Sequence, residues 1–73
     1  MAKVEAKSEV NGSIWKLEVQ PGLRVEAGAT LMLVESMKME IPVIAEDGGT
    51  VVSILVKEGD PVTEGQTVAI LEA

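Results

Sequence analysis

The side chains able to do chemistry are concentrated in one hexapeptide, Glu35-Ser36-Met37-Lys38-Met39-Glu40. It sets a primary amine between two thioethers, with a hydroxyl and two carboxylates close by. The chain contains 0 Cys, 0 His and 0 Tyr. That removes the usual general bases, thiolate nucleophiles, metal clusters and triads, and no disulfide framework can form. No nucleophile–base pair is left from which an autonomous active site could be built. An ordinary lysine amine, with a pKa of about 10.4, is neutral in only roughly one molecule in 10³ at pH 7. A lysine attacks an electrophile only in that neutral form, and the chain has no His or Cys to generate it.

Taken singly, these residues have plain explanations. A lone lysine is usually a solvated surface charge, and methionines beside it are usually packing. Their position argues for more. Met37 and Lys38 would be the central pair of a two-residue turn between the apolar strand Leu31–Glu35 and the strand around Ile41–Ile44. Such a turn wants φ > 0 at both central positions and favours Asn-Gly or Asp-Gly. Two long, flexible side chains contradict that local chemistry, and contradictions of this kind concentrate at functional sites. Met37 and Met39 suit adaptable apolar contact with whatever approaches the amine. Glu35 and Glu40 are placed to set register or steer a partner.

The elements that hold the hexapeptide come from an internal repeat. Shifting the sequence by 37 positions aligns residues 12–35 with 49–72 without a gap, and 7 of the 24 pairs are identical, among them Gly22/Gly59, Gly28/Gly65 and Glu35/Glu72. Most remaining pairs are aliphatic swaps such as Ile14/Val51 and Leu31/Val68. Two copies are too few for a solenoid, so the halves should face each other about a pseudo-twofold axis. The hexapeptide falls at their junction.

Each half reads as short strands separated by glycine turns. Val, Ile and Leu supply 22 residues, 16 of them β-branched, and Trp15 is the only aromatic. Such stiff side chains favour pleated sheet. Alternation places Val4, Ala6, Ser8 and Val10 on one face, and likewise Trp15, Leu17 and Val19. Ile14 and Val51 break parity at the same point of each half, which signals a bulge or a strand crossing between sheets. Glycines 22, 28, 59 and 65 suit positive-φ turns. Pro21 and Pro61 fall in the turn regions, and Pro42 should sit on a strand edge or at a position that donates no hydrogen bond. The expectation is all-β: four strands per half, forming a sandwich or flattened barrel of two antiparallel sheets, with residues 1–73 as one domain.

A formal net charge of −6 argues against nucleic acid or an anionic membrane as the main partner. The longest apolar runs, Leu31–Val34 and Val68–Leu71, fall far below the ~20 residues a spanning helix needs. Residues 1–11 show no apolar targeting segment. A soluble, cytoplasmic monomer is expected.

The Met37-Lys38-Met39 core, its flanking glutamates, the two quasi-equivalent halves and the Gly-x-x-Val-x-x-Gly turns together resemble the biotinyl/lipoyl carrier family over essentially the whole chain. The likeness is greatest to short biotin/lipoyl attachment proteins of biotin carboxyl carrier type. The resemblance implies two four-stranded sheets in a flattened barrel, with a prosthetic group in amide linkage to Lys38. Biotin acceptors in the family usually read Met-Lys-Met and lipoyl acceptors more often Asp-Lys-Ala, so Met37 and Met39 favour biotin over lipoate. Ser36 stands where many biotin carriers have Ala. A non-catalytic carrier is implied, acylated by a biotin protein ligase and serving biotin carboxylase and carboxyltransferase components. A lipoyl carrier modified at the same lysine by a lipoate ligase, a doubly modified carrier, and an unmodified adaptor that binds a basic partner are the alternatives.

Overall fold

The computed structural model describes residues 3–73. The first two residues of the expected domain therefore lie outside the described part. Eight strands follow in order: β1 (Lys3–Lys7), β2 (Gly12–Leu17), β3 (Arg24–Val25), β4 (Thr30–Ser36), β5 (Met39–Ile44), β6 (Gly49–Ile54), β7 (Pro61–Val62) and β8 (Thr67–Glu72). They form two four-stranded sheets, β1-β8-β6-β3 and β5-β4-β2-β7, with antiparallel pairing throughout. Among the described residues, no helix is long and apolar enough to cross a membrane.

The 37-residue shift seen in the sequence converts one sheet order into the other. Each sheet takes strands from both halves, so the repeats interlock instead of forming separate lobes. Backbone hydrogen bonds obey the same symmetry. Gly22 N–H donates to the Val51 carbonyl at 2.8 Å, and Gly59 N–H to the Ile14 carbonyl at 2.7 Å. The glycine turns sit at φ 93° and 87° in the first half and 93° and 86° in the second. Left-handed backbone of this kind costs glycine little.

Aliphatic side chains from both inner faces fill the space between the sheets. Leu31, Met32, Val34, Val68 and Ala69 are fully enclosed, with Ile14, Val51 and Leu71 nearly so. Without large aromatic rings the sheets close on branched chains, whose restricted χ1 rotamers make a stiff interior.

Three details revise the sequence expectations. Register shifts between Ile14 and Lys16, and between Val51 and Ser53, confirm the bulges. Their effect is to turn Ile14 and Val51 inward and push Trp15 and Val52 out, to 48% and 38% exposure. Strict alternation had grouped Trp15 with Leu17; the extra residue of a bulge resets the parity. Val4, read as inward, is 39% exposed. Pro61 opens β7 instead of lying in the turn before it. Both β7 and the Pro42-bearing β5 are sheet edges, where a residue without an N–H is tolerated.

Candidate functional site

β4 and β5 form a hairpin whose register pairs Leu33 with Pro42, Val34 with Ile41, Glu35 with Glu40 and Ser36 with Met39. Met37 and Lys38 make the two-residue turn. Their φ angles are 51° and 65°, and among the described residues they are the non-glycine positions with positive φ. This meets the requirement of the tight hairpin turn with the wrong residue types. Left-handed backbone costs an L-residue roughly 1–2 kcal/mol. The hairpin can hold that strain because β4 is clamped between β5 and β2, with Leu31, Met32 and Val34 anchored in the core.

Every candidate residue read from the sequence lies on this hairpin. Lys38 is exposed at its apex. Met37 is 92% exposed and Met39 63%, so neither belongs to the core. Ser36 is half-buried at the top of β4, while Glu35 and Glu40 are exposed one rung lower. The ion pair found among the described residues joins Lys16 and Glu18 at 3.7 Å and does not involve Lys38. A cavity of about 430 Å³ opens between the edge strands β1 and β5, lined in part by Val4, Ile41, Val43 and Leu71. Lys38, Met37 and Met39 do not line it. The amine is thus offered on a projection and not in a cleft. Such an arrangement can present a nucleophile to another protein but cannot enclose a substrate.

Two features of the site went unread in the sequence. The first is that Glu35 and Glu40 face each other directly, a like-charge pairing that is unfavourable across a sheet. The symmetry-equivalent rung at the other end of the molecule pairs Lys3 with Glu72, opposite charges. A two-residue turn at Met37-Lys38 already dictates this register, so the signal was present. The second is the outward position of Trp15 on the sheet that carries Lys38; the shared parity break at Ile14 and Val51 was its only trace.

The hairpin fits a covalently attached acyl group on chemical grounds: an exposed primary amine, without an ion pair among the described residues, between two exposed apolar side chains. Comparisons with known proteins identify the family. The biotin/lipoyl family, described as "Biotin-requiring enzyme", matches residues 4–71. The Biotin/lipoyl attachment protein of Bacillus subtilis (strain 168) is 44% identical over 57 residues, 78% of this chain and 78% of its own. The Biotinylated protein TB7.3 homolog of Mycobacterium leprae (strain TN) is 36% identical over 67 residues, 92% of this chain and 94% of its own. The crystal structure of Kluyveromyces lactis urea carboxylase superimposes with a TM-score of 0.93 at 38% identity, covering 99% of this chain and 6% of that one. The chain belongs to the biotin/lipoyl attachment family, as a carrier and not a catalyst.

Proposed function

We propose that Lys38 is acylated with biotin by a biotin protein ligase, and that the loaded protein carries carboxyl groups between the biotin carboxylase and carboxyltransferase components of a carboxylase. The observation that supports this reading best is the exposed Lys38 at the apex of a strained turn with a methionine on each side. Attached biotin supplies a ring that takes up and releases a carboxyl group; that chemistry belongs to the cofactor and the partner enzymes.

The residues of this chain have simpler tasks. Lys38 supplies the nucleophile. Its ammonium first loses a proton; the neutral Nζ then forms a bond to the acyl carbon of a ligase-held acyl-adenylate, the bond from that carbon to the phosphate oxygen breaks, AMP leaves, and the nitrogen releases a second proton. The cationic amine becomes a neutral amide, taking the net charge from −6 to −7. Met37 and Met39 offer polarizable contacts that adapt to the ligase surface. Ser36, Glu35 and Glu40 hold the register beneath the turn and present negative charge to the incoming enzyme. β4, clamped in its sheet, keeps the amine in place so that no unfolding precedes entry into the ligase. The lysine stem then becomes part of a flexible tether that keeps the cofactor at high effective concentration near successive active sites.

Lipoate on the same lysine is the second reading, favoured by the dual name of the Bacillus subtilis relative. Intact-mass spectrometry after incubation with ATP and each ligase–cofactor pair separates the readings. A biotin mass increment with avidin capture is expected, and none in Lys38→Arg, because a guanidinium keeps the charge but does not serve as an acyl acceptor. A lipoyl increment alone would move the assignment to lipoate. No increment with either ligase, or a modified Lys38→Arg protein, would overturn it.

A further inference from the structure

The pseudo-twofold axis provides an internal control. The strand positions beneath Lys38, residues 12–35 and 40–44, have equivalents 37 residues away on the other sheet, in matching places in the ladder but away from the lysine. Where the two differ in an exposed place, folding alone does not explain the choice. On the outer face of the Lys38-bearing sheet, two rungs beneath Glu35 and Glu40, the bulge residues Trp15 and Lys16 stand opposite Leu33, which pairs in turn with Pro42. The equivalent row on the other sheet is Val52 and Ser53, Ile70 and Glu5. The chain's lone aromatic, 48% exposed, a proline and a lysine that pairs with Glu18 thus replace a valine, a glutamate and a serine on the sheet that carries Lys38. Above this apolar row the two glutamates face each other, where the equivalent rung has Lys3 against Glu72.

We infer that this face, the apolar row Trp15–Leu33–Pro42 capped by Glu35 and Glu40, is the docking surface for the ligase that acylates Lys38. The inference rests on the acylation of Lys38 proposed above. Its occupant is a protein surface with an apolar spot bordered by basic side chains, since an unpaired pair of carboxylates next to a half-exposed tryptophan is complemented by both. The ligase is the partner that needs it. Acylation occurs at Nζ itself, one lysine stem from the backbone, so the enzyme must come down onto the hairpin and the sheet beneath it. Enzymes served later meet the cofactor at the end of a longer tether and need not touch the sheet. Aromatic anchors surrounded by polar groups dominate contacts of this kind.

The test exchanges residues for their symmetry equivalents, which the same fold already carries on its other sheet. Trp15→Val and Pro42→Glu are assayed with biotin protein ligase, biotin and ATP, alongside the mirror variant Val52→Trp. Urea melts of all three report on folding. At least a tenfold rise in KM for the carrier is expected in Trp15→Val and a smaller rise in Pro42→Glu, with kcat and urea midpoints near the parent's. Val52→Trp should match the parent. Parental KM in both Trp15→Val and Pro42→Glu would overturn the docking surface, as would an equal rise in Val52→Trp, while leaving Lys38 acylation intact. Failure of the parent itself to gain mass would remove the acylation reading, and this inference with it.

Discussion

At the apex of the hairpin, stability and use pull in opposite directions. Met37 and Lys38 occupy backbone conformations that suit glycine or asparagine, at φ 51° and 65°. Replacing Met37 by glycine removes left-handed strain of roughly 1–2 kcal/mol and adds about 0.5–1 kcal/mol of unfolded-chain entropy. Met37→Gly should therefore be at least as stable as the parent, by up to about 1.5 kcal/mol in a urea melt. It should also be a poorer ligase substrate, because it deletes one of the two exposed side chains that bracket the amine. A lower midpoint would show that the turn is not strained. The conflict between turn chemistry and residue type was fully legible in the sequence, because a two-residue turn makes the same demand in any hairpin. The outward placement of Trp15 was less so. It depends on a bulge that inserts a residue out of phase, and simple alternation cannot locate which residue is extra.

Among the elements, two strands approach each other very closely directly beneath the site. A Cβ at Gly12, where β2 begins, would run into the backbone carbonyl of Glu35 on β4, and one at Gly49 would run into that of Glu72 on β8. These glycines are symmetry equivalents, and in each case the obstacle is backbone that cannot step aside. Gly12→Ala and Gly49→Ala should each destabilise by about 1–3 kcal/mol, the usual cost of overpacking. Their effects on acylation should differ. Gly12→Ala displaces the strand that carries the hairpin and should raise the ligase KM, whereas Gly49→Ala should alter only the urea midpoint. Equal KM values in the two variants would disprove a positional role for β4. The strands themselves were readable from the repeat, since glycine turns and β-branched runs recur at one offset in both halves. Their assignment to sheets was not. Both sheets combine strands from both halves, and that interlocking depends on long-range pairing that local patterns do not encode.

For the whole molecule, charge is the property that reaches furthest. With 12 acidic and 6 basic side chains, the surface is strongly negative. Mutual repulsion of such charges keeps copies apart and favours approach of a basic partner. Screening shortens from about 10 Å at 0.1 M salt to about 3 Å at 1 M. The kcat/KM for acylation should accordingly fall several-fold across that range, with most of the change in association. An acylation rate indifferent to salt would leave the acidic rung without a steering role.

The rung that pairs Lys3 with Glu72 is the symmetry equivalent of the one just below the lysine hairpin, and the register places it at the opposite pole of a body 36 Å long. Both ends of the described chain therefore emerge side by side at the pole away from Lys38. Other polypeptides can be spliced on there without shadowing the amine, so a reporter protein fused at residue 73 should leave the ligase kinetics unchanged. The geometry makes the unit a portable handle: it can travel alone or as one bead in a much longer enzyme, with its working end facing outward in either setting.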